Sequence, residues 1–218
     1  MQIDRPASPL DPELVLTAYT RGVFPMAESR DDPEVHWVCP DPRAILPIAP
    51  HDPAGAFHVR RSLAKALRKQ AFSLSLDRAF ARVVAGCAAP GTAPGSDRED
   101  TWINRPIEAV FNELHRLGVA HSVEAWQTAD IGSPPDLVGG LYGLALGGAF
   151  FAESMFSRVP YASQVCLVEL VKVLRQRGFT LLDTQFVNPH LEQFGVAEVG
   201  RPDYLRRLGK AIRLGPRW

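Results

Sequence analysis

An α/β fold, in which an antiparallel run of strands is followed by a crossover helix and one more strand, is what this sequence predicts. Three observations lead to it. Two apolar stretches, LVGGLYGLAL and AFFAESMF, are joined by Gly147-Gly148, a strong hairpin signal. ASQVCLVELVKVLRQRG then reads as a helix closed by Gly178. FTLLDTQF returns to a short apolar strand directly after it.

The remaining elements follow in order. Asp11-Pro12-Glu13 starts a helix: an N-cap acid, a proline whose missing N–H is harmless in the first turn, and a second acid near the positive end of the helix. Gly22 ends it. WVCPDPRAILP holds three prolines, which cannot donate to a ladder, so it is expected to be extended and at best an edge strand. Residues 49–56 read as a loop. RRSLAKALRK is a helix with Arg61, Lys65, Arg68 and Lys69 on one face and Leu63 and Leu67 on the other, and FSLSL alternates as a strand. GCAAPGTAPGSDRED, residues 86–100, is expected to be a mobile loop linking a small N-terminal domain (1–86) to a larger one (101–218). In the latter, Pro106 to Gly118 is an amphipathic helix, AHSVEAW a strand, DIGSPPD a turn, and PHLEQFG and PDYLRRLGKAI are short helices. That order, helix, meander, crossover helix, strand, is the order of the acetyltransferase-like (GNAT) fold. The fold class expected is therefore α/β (α+β), a GNAT-like domain preceded by a small N-terminal one.

Composition narrows the function classes. Apolar residues make up 46% of the 218, which excludes disordered and fibrous classes. No apolar run approaches the roughly 18 to 20 residues a membrane span needs, and MQIDRPASPLDP has no signal pattern, so a cytoplasmic protein without membrane partners is expected. Cys39, Cys87 and Cys166 are an odd number without CxxC spacing, which points to reduced thiols. His115 and His121 lack a third ligand at metal spacing, so no metal is expected. Formal charge is zero, yet Arg60 to Arg82 holds seven basic residues and one acid, a local stripe suited to a local anionic partner.

The candidate chemistry lies on two strands that should be neighbours. Glu153 and Asp183 each interrupt an apolar run, and a buried carboxylate is costly unless it has a donor or a purpose. Gln185, two residues beyond Asp183, should share its face, so that the carboxylate orients the amide. Structural acids bonded to backbone or arginine are the competing reading of the same residues. Trp37 and Trp102 lie outside the apolar periodicities and suit stacking on bases, while Arg60, Arg61, Lys65, Arg68 and Lys69 suit phosphates. The segment after AFFAESMF is SRVPYASQVC, without the glycine-bearing loop that cradles coenzyme A, which disfavours an acyl-CoA N-acyltransferase.

RGVFP, CPDPRAIL, FHVRRSL, TWI, LHRLGVAHSVEAW, LVGGLYG, ESMFSR, LLDTQF and PDYLRRL, in that order, resemble the leucyl/phenylalanyl-tRNA–protein transferases over nearly the whole chain. The resemblance implies transfer of Leu, Phe or Met from aminoacyl-tRNA to the N-terminal amine of proteins beginning with Arg or Lys, marking them for degradation, by a monomer without cofactor or metal. It implies that Asp183 and Gln185 assist the attacking amine. Glu153 is implied to sit by the substrate pocket, and we expect it to be ionised there, facing the acceptor's cationic N-terminal residue or positioning the substrate amine. Trp102, with Trp37, is implied to contact the terminal adenosine. Leu141, Phe150 and Leu182 are implied to line the side-chain pocket, and the basic helix to track the acceptor stem. Val38 replaces a usual aromatic on one side of the adenosine contact, and Gln164 replaces a usual cation, which leaves acidic N-termini as an alternative acceptor class; a non-catalytic tRNA-binding module is the reading from another class.

Overall fold

A computed structural model describes residues 10–49, 52–89, 100–128, 134–216 and 218. Its elements are α1 (Pro12–Thr20), β1 (Phe24–Met26), β2 (His36–Val38), β3 (Arg43–Leu46), α2 (Arg61–Arg68), β4 (Ser73–Leu76), α3 (Phe80–Ala88) and α4 (Arg105–Arg116). They continue with β5 (Ala120–Gln127), β6 (Asp136–Leu146), β7 (Ala149–Ser157), α5 (Ala162–Arg177), β8 (Leu181–Gln185), α6 (Pro189–Glu192), β9 (Ala197–Val199) and α7 (Arg201–Ile212).

Seven strands form one mixed sheet in the order β4-β5-β6-β7-β8-β3-β9, and β1 and β2 form a small hairpin beside it. The expected meander is β5 to β7, antiparallel throughout, and β4 extends it by pairing antiparallel with β5. The α5 crossover then sets β8 parallel to β7. Because successive strand residues point to opposite faces, Tyr142 and Phe151 enter a core with α1, α3, α4 and α7, while Leu141 and Phe150 enter a second core with α2 and α5. Helices thus cover both faces, as a sheet apolar on both sides requires.

Local chemistry sets the helix ends. Asp11 accepts from Glu13 N and Asn104 from Ile107 N, each satisfying a donor that the first helical turn leaves free. Gly178 closes α5 at φ 80°, where a side chain would be strained. At α3 the cap comes from another strand: the buried Glu124 of β5 accepts from Arg78 N and Ala79 N, and from the hydroxyls of Ser75 and Ser122.

Several expectations are corrected. β3 is interior, bonded to β8 on one side and β9 on the other. The prolines of WVCPDPRAILP flank its four paired residues and do not interrupt them. Residues 86–88 belong to α3, a helix that the sequence pattern did not predict; residues 90–99 of the expected loop lie outside the described residues, as do 130–133 of the expected DIGSPPD turn. β3 and β4, from the segment expected to be a separate small domain, belong to the main sheet.

Candidate active site

β7 and β8 pair from Ala149↔Leu181 to Phe151↔Asp183 and then part. A β-bulge sits at the parting on each side. Tyr142 faces Ser154 but Gly143 faces Ala152, so Glu153 is the extra residue of β7. Ala44 faces Gln185 but Ile45 faces Asp183, so Thr184 is the extra residue of β8. Bulges re-aim side chains and break ladders; here they open a cleft of about 240 Å³ between residues 152–155 and 184–186. Phe24, Met26, Leu141, Met155, Leu167 and Leu191 give it an apolar wall, and Trp102, Phe186 and Asn188 also line it.

Glu153 sits on this cleft, 8% exposed. Burial and the neighbouring Asp183 charge push its carboxyl up to about 8, while Tyr19 and Arg43 pull the other way. That direction runs against the expected ionised Glu153 and favours the protonated carboxyl. The Tyr19 hydroxyl is buried against the same carboxyl, outside ordinary hydrogen-bond geometry. The surroundings of Gln185 agree. Its amide is satisfied when the nitrogen donates to the main-chain oxygens of Thr184 (3.1 Å) and Ala152 (2.8 Å). The amide oxygen then takes the position 3.5 Å from Glu153 Oε1, where a protonated carboxyl is a compatible neighbour and a carboxylate is not.

Asp183 is placed differently from the expectation. It is fully buried beneath the cleft and does not line it. The Arg43 guanidinium grips it, with Nε 2.9 Å from Oδ1 and Nη2 2.8 Å from Oδ2, and the Tyr204 hydroxyl donates to Oδ2 at 2.5 Å. Its link to Gln185 runs to the main-chain N–H (2.9 Å), not to the side-chain amide. Strand alternation fails here because of the bulge and because Gln185 has φ 61°. Burial lowers the Arg43 pKa, but Asp183 outweighs it and the net shift is upward; burial and then Asp183 raise Tyr204.

Of the other expected site residues, Trp102 and Leu141 line the cleft. Phe150 and Leu182 are cross-strand partners in the core and do not form its wall. Trp37 is 39% exposed on β2, paired with Pro25 of β1, whose neighbours Phe24 and Met26 line the cleft. Arg60, Arg61, Lys65, Arg68 and Lys69 are all exposed along α2, and Leu63 anchors that helix in the core. Gly139, Gly140 and Gly143 leave room for other parts of the protein: a Cβ would strike Ala162, Val83 and the Phe151 carbonyl respectively.

Arg43, Tyr204, Tyr19 and Thr184 were not among the residues expected from the sequence. Thr184 lines the cleft and has a buried hydroxyl with no hydrogen-bond partner among the described residues. The available signal for Arg43 was a lone cation opening an apolar strand in a chain that also has a lone anion, Asp183, inside another. A third group does join His115 and His121: Asp77, with ligand-type atoms within 4.8 Å of one another. Asp77 Oδ2, however, already takes hydrogen bonds from His121 Nδ1 (2.9 Å) and Trp218 Nε1 (2.6 Å), so the arrangement is a hydrogen-bonded Asp–His–Trp cluster.

Comparison with known proteins finds relatives over most of the chain. The profile of the family described as "Leucyl/phenylalanyl-tRNA protein transferase" matches residues 52–209, and that of its N-terminal domain matches residues 8–41. A leucyl/phenylalanyl-tRNA–protein transferase of Rhodospirillum rubrum is 49% identical over 205 residues, 94% of this chain and 89% of that protein. One from Paramagnetospirillum magneticum is 52% identical over 204 residues, 94% and 90% of the two chains. Among solved structures, "The structure of L-PGS from Bacillus licheniformis" aligns at TM-score 0.45 and 10% identity, over 79% of this chain and 65% of that one.

Proposed function

This chain belongs to the leucyl/phenylalanyl-tRNA–protein transferase family, and we propose that its cleft receives a Leu, Phe or Met side chain and the N-terminal residue of an acceptor beginning with Arg or Lys. As a member of that family it is an aminoacyltransferase, moving an aminoacyl group from tRNA to the N-terminus of a protein. The observation that carries the proposal is the juxtaposition, in one cleft, of an apolar wall, the Glu153 carboxyl and the Gln185 amide.

The reaction is aminolysis of an ester. The acceptor's neutral α-amine forms a C–N bond to the aminoacyl carbonyl carbon. The bond from that carbon to the ribose 3′ oxygen breaks; the amine gives up a proton and the leaving oxygen gains one. The ester is already activated, so positioning the two substrates is the main task. The Gln185 amide oxygen, its nitrogen engaged by Ala152 O and Thr184 O, is aimed to accept a hydrogen bond from the amine. Glu153 ionises when a cationic side chain enters, which supplies the counter-charge that stabilises a buried carboxylate. Trp102 at the rim suits stacking on the terminal adenosine, and Trp37 extends that surface from the β1–β2 hairpin. The five cations of α2, unpaired with acids among the described residues, suit acceptor-stem phosphates.

We propose the same setting for its biology: a cytoplasmic monomer whose products are marked for degradation. No described helix is long and apolar enough to cross a membrane. Transfer of labelled leucine from leucyl-tRNA to two peptides, one beginning with Arg and one with Asp, is the test. Transfer to the Arg peptide alone is expected. Transfer to the Asp peptide would reassign the acceptor, with Gln164 the first residue to exchange.

A further inference from the structure

Gln185 is held in an unusual way. It sits at φ 61°, in the left-handed region, which costs a non-glycine residue conformational energy and persists only where its surroundings impose it. The imposing contact is the Asp183 carboxylate, which accepts the Gln185 main-chain N–H as in a side-chain-closed turn. A carboxylate offers about four acceptor positions. Those of Asp183 are taken by Gln185 N, Arg43 Nε, Arg43 Nη2 and the Tyr204 hydroxyl. No position remains with which to take a proton from substrate, and the Arg43 charge neutralises its own. Arg43 is in turn fixed from three directions. Its Nη1 donates to Gly22 O at 3.0 Å, and the rings of Phe24 and Tyr204 each lie 4.7 Å from its guanidinium. Phe24 is itself part of the cleft wall.

We propose that Arg43 and Tyr204 are positioning residues for the transfer reaction: they clamp Asp183 so that its carboxylate holds the Gln185 backbone left-handed and aims the Gln185 amide at the attacking amine. Asp183 then acts as a strut rather than as a base. The assignment rests on the reading of Gln185 as the amine's partner, and it extends the active site to α7, which does not reach the cleft.

The test is a double-mutant cycle with Tyr204→Phe, which keeps the ring over Arg43 and deletes one hydrogen bond, and Gln185→Ala. The readouts are kcat and KM for leucyl-tRNA and for an Arg-initiated peptide, together with thermal unfolding. Tyr204→Phe is expected to lower kcat by roughly 10- to 100-fold, the scale of a sub-ångström to ångström misplacement, with KM for leucyl-tRNA within about twofold. In the Gln185→Ala background it is expected to lower kcat no further. Multiplicative losses in the double variant would overturn the proposal, since Tyr204 would then act independently of Gln185. If Gln185→Ala alone left kcat unchanged, the reading of Gln185 itself would fail, and the strut assignment with it. Asp183→Asn, isosteric with the native residue, is carried through the same cycle so that the result does not depend on one variant folding.

Discussion

Replacing Glu153 by Gln isolates the contribution of its raised carboxyl. With its carboxyl at about 8, roughly one molecule in ten is ionised at pH 7 and one in a hundred at pH 6. If the cationic acceptor binds only the ionised form, its apparent affinity is reduced by that fraction. KM for an Arg-initiated peptide should therefore fall about tenfold from pH 6 to 7, several-fold more to pH 8, and level off above. The peptide's own α-amine titrates in the same range, so the quantity to measure is the ratio of KM values for Glu153→Gln and wild type, at constant ionic strength from pH 6 to 9, which cancels it. A ratio that does not change with pH would refute the reasoning. Stability gives an independent check with a definite sign. The folded protein keeps a proton that the unfolded chain has released between the ordinary carboxyl value of 4.5 and about 8. Wild-type stability should thus decline as pH rises through that window, by at most about 1.4 kcal/mol per unit. Glu153→Gln lacks this slope, so its advantage in urea unfolding should widen from pH 5 to 8 and then stay constant.

Three further outcomes follow from the same geometry. Asp183→Ala leaves the Arg43 charge buried and unpaired, so it should cost about 3–5 kcal/mol in urea unfolding, more than the isosteric Asp183→Asn. Lys65→Ala with Arg68→Ala should raise KM for leucyl-tRNA without lowering kcat, and should flatten the dependence of log KM on log salt by roughly one for each phosphate no longer neutralised. Trp102→Ala should weaken leucyl-tRNA by about 1–3 kcal/mol, the worth of one stacked base, read as a KM increase that leaves the peptide's KM unchanged.

The strands and helices that carry the cleft were legible because their signals are local. Gly147-Gly148 marked the β6–β7 hairpin, Gly178 the end of α5, and acids in otherwise apolar runs marked Glu153 and Asp183. What was not legible depends on partners far along the chain. The four residues of β3 look like an exposed edge because nothing near them shows that β8 and β9 will bond to both sides. The bulges that insert Glu153 and Thr184 follow from register between separate strands, so simple alternation put Asp183 and Gln185 on one face when they serve different surroundings. Gly143 reads as room for a ligand until Phe151 is known to lie against it. α3 was hidden because its capping carboxylate, Glu124, lies on β5 across a segment rich in glycine and proline.

The grip of Arg43 on Asp183 bridges 140 positions of chain, and Tyr204 joins it from 21 positions further on. Such a contact carries a large loop-closure entropy and forms only when both ends are available. During synthesis, which proceeds from the N-terminus, Arg43 leaves the ribosome long before its anion, and the anion before its last donor. A nascent chain can assemble the β4–β7 meander early, from neighbours in sequence, yet it has no clamped Gln185 until α7 has emerged and docked. Under the strut assignment, the cleft thereby depends on α7, a helix that follows all the described strands of the sheet it helps to organise.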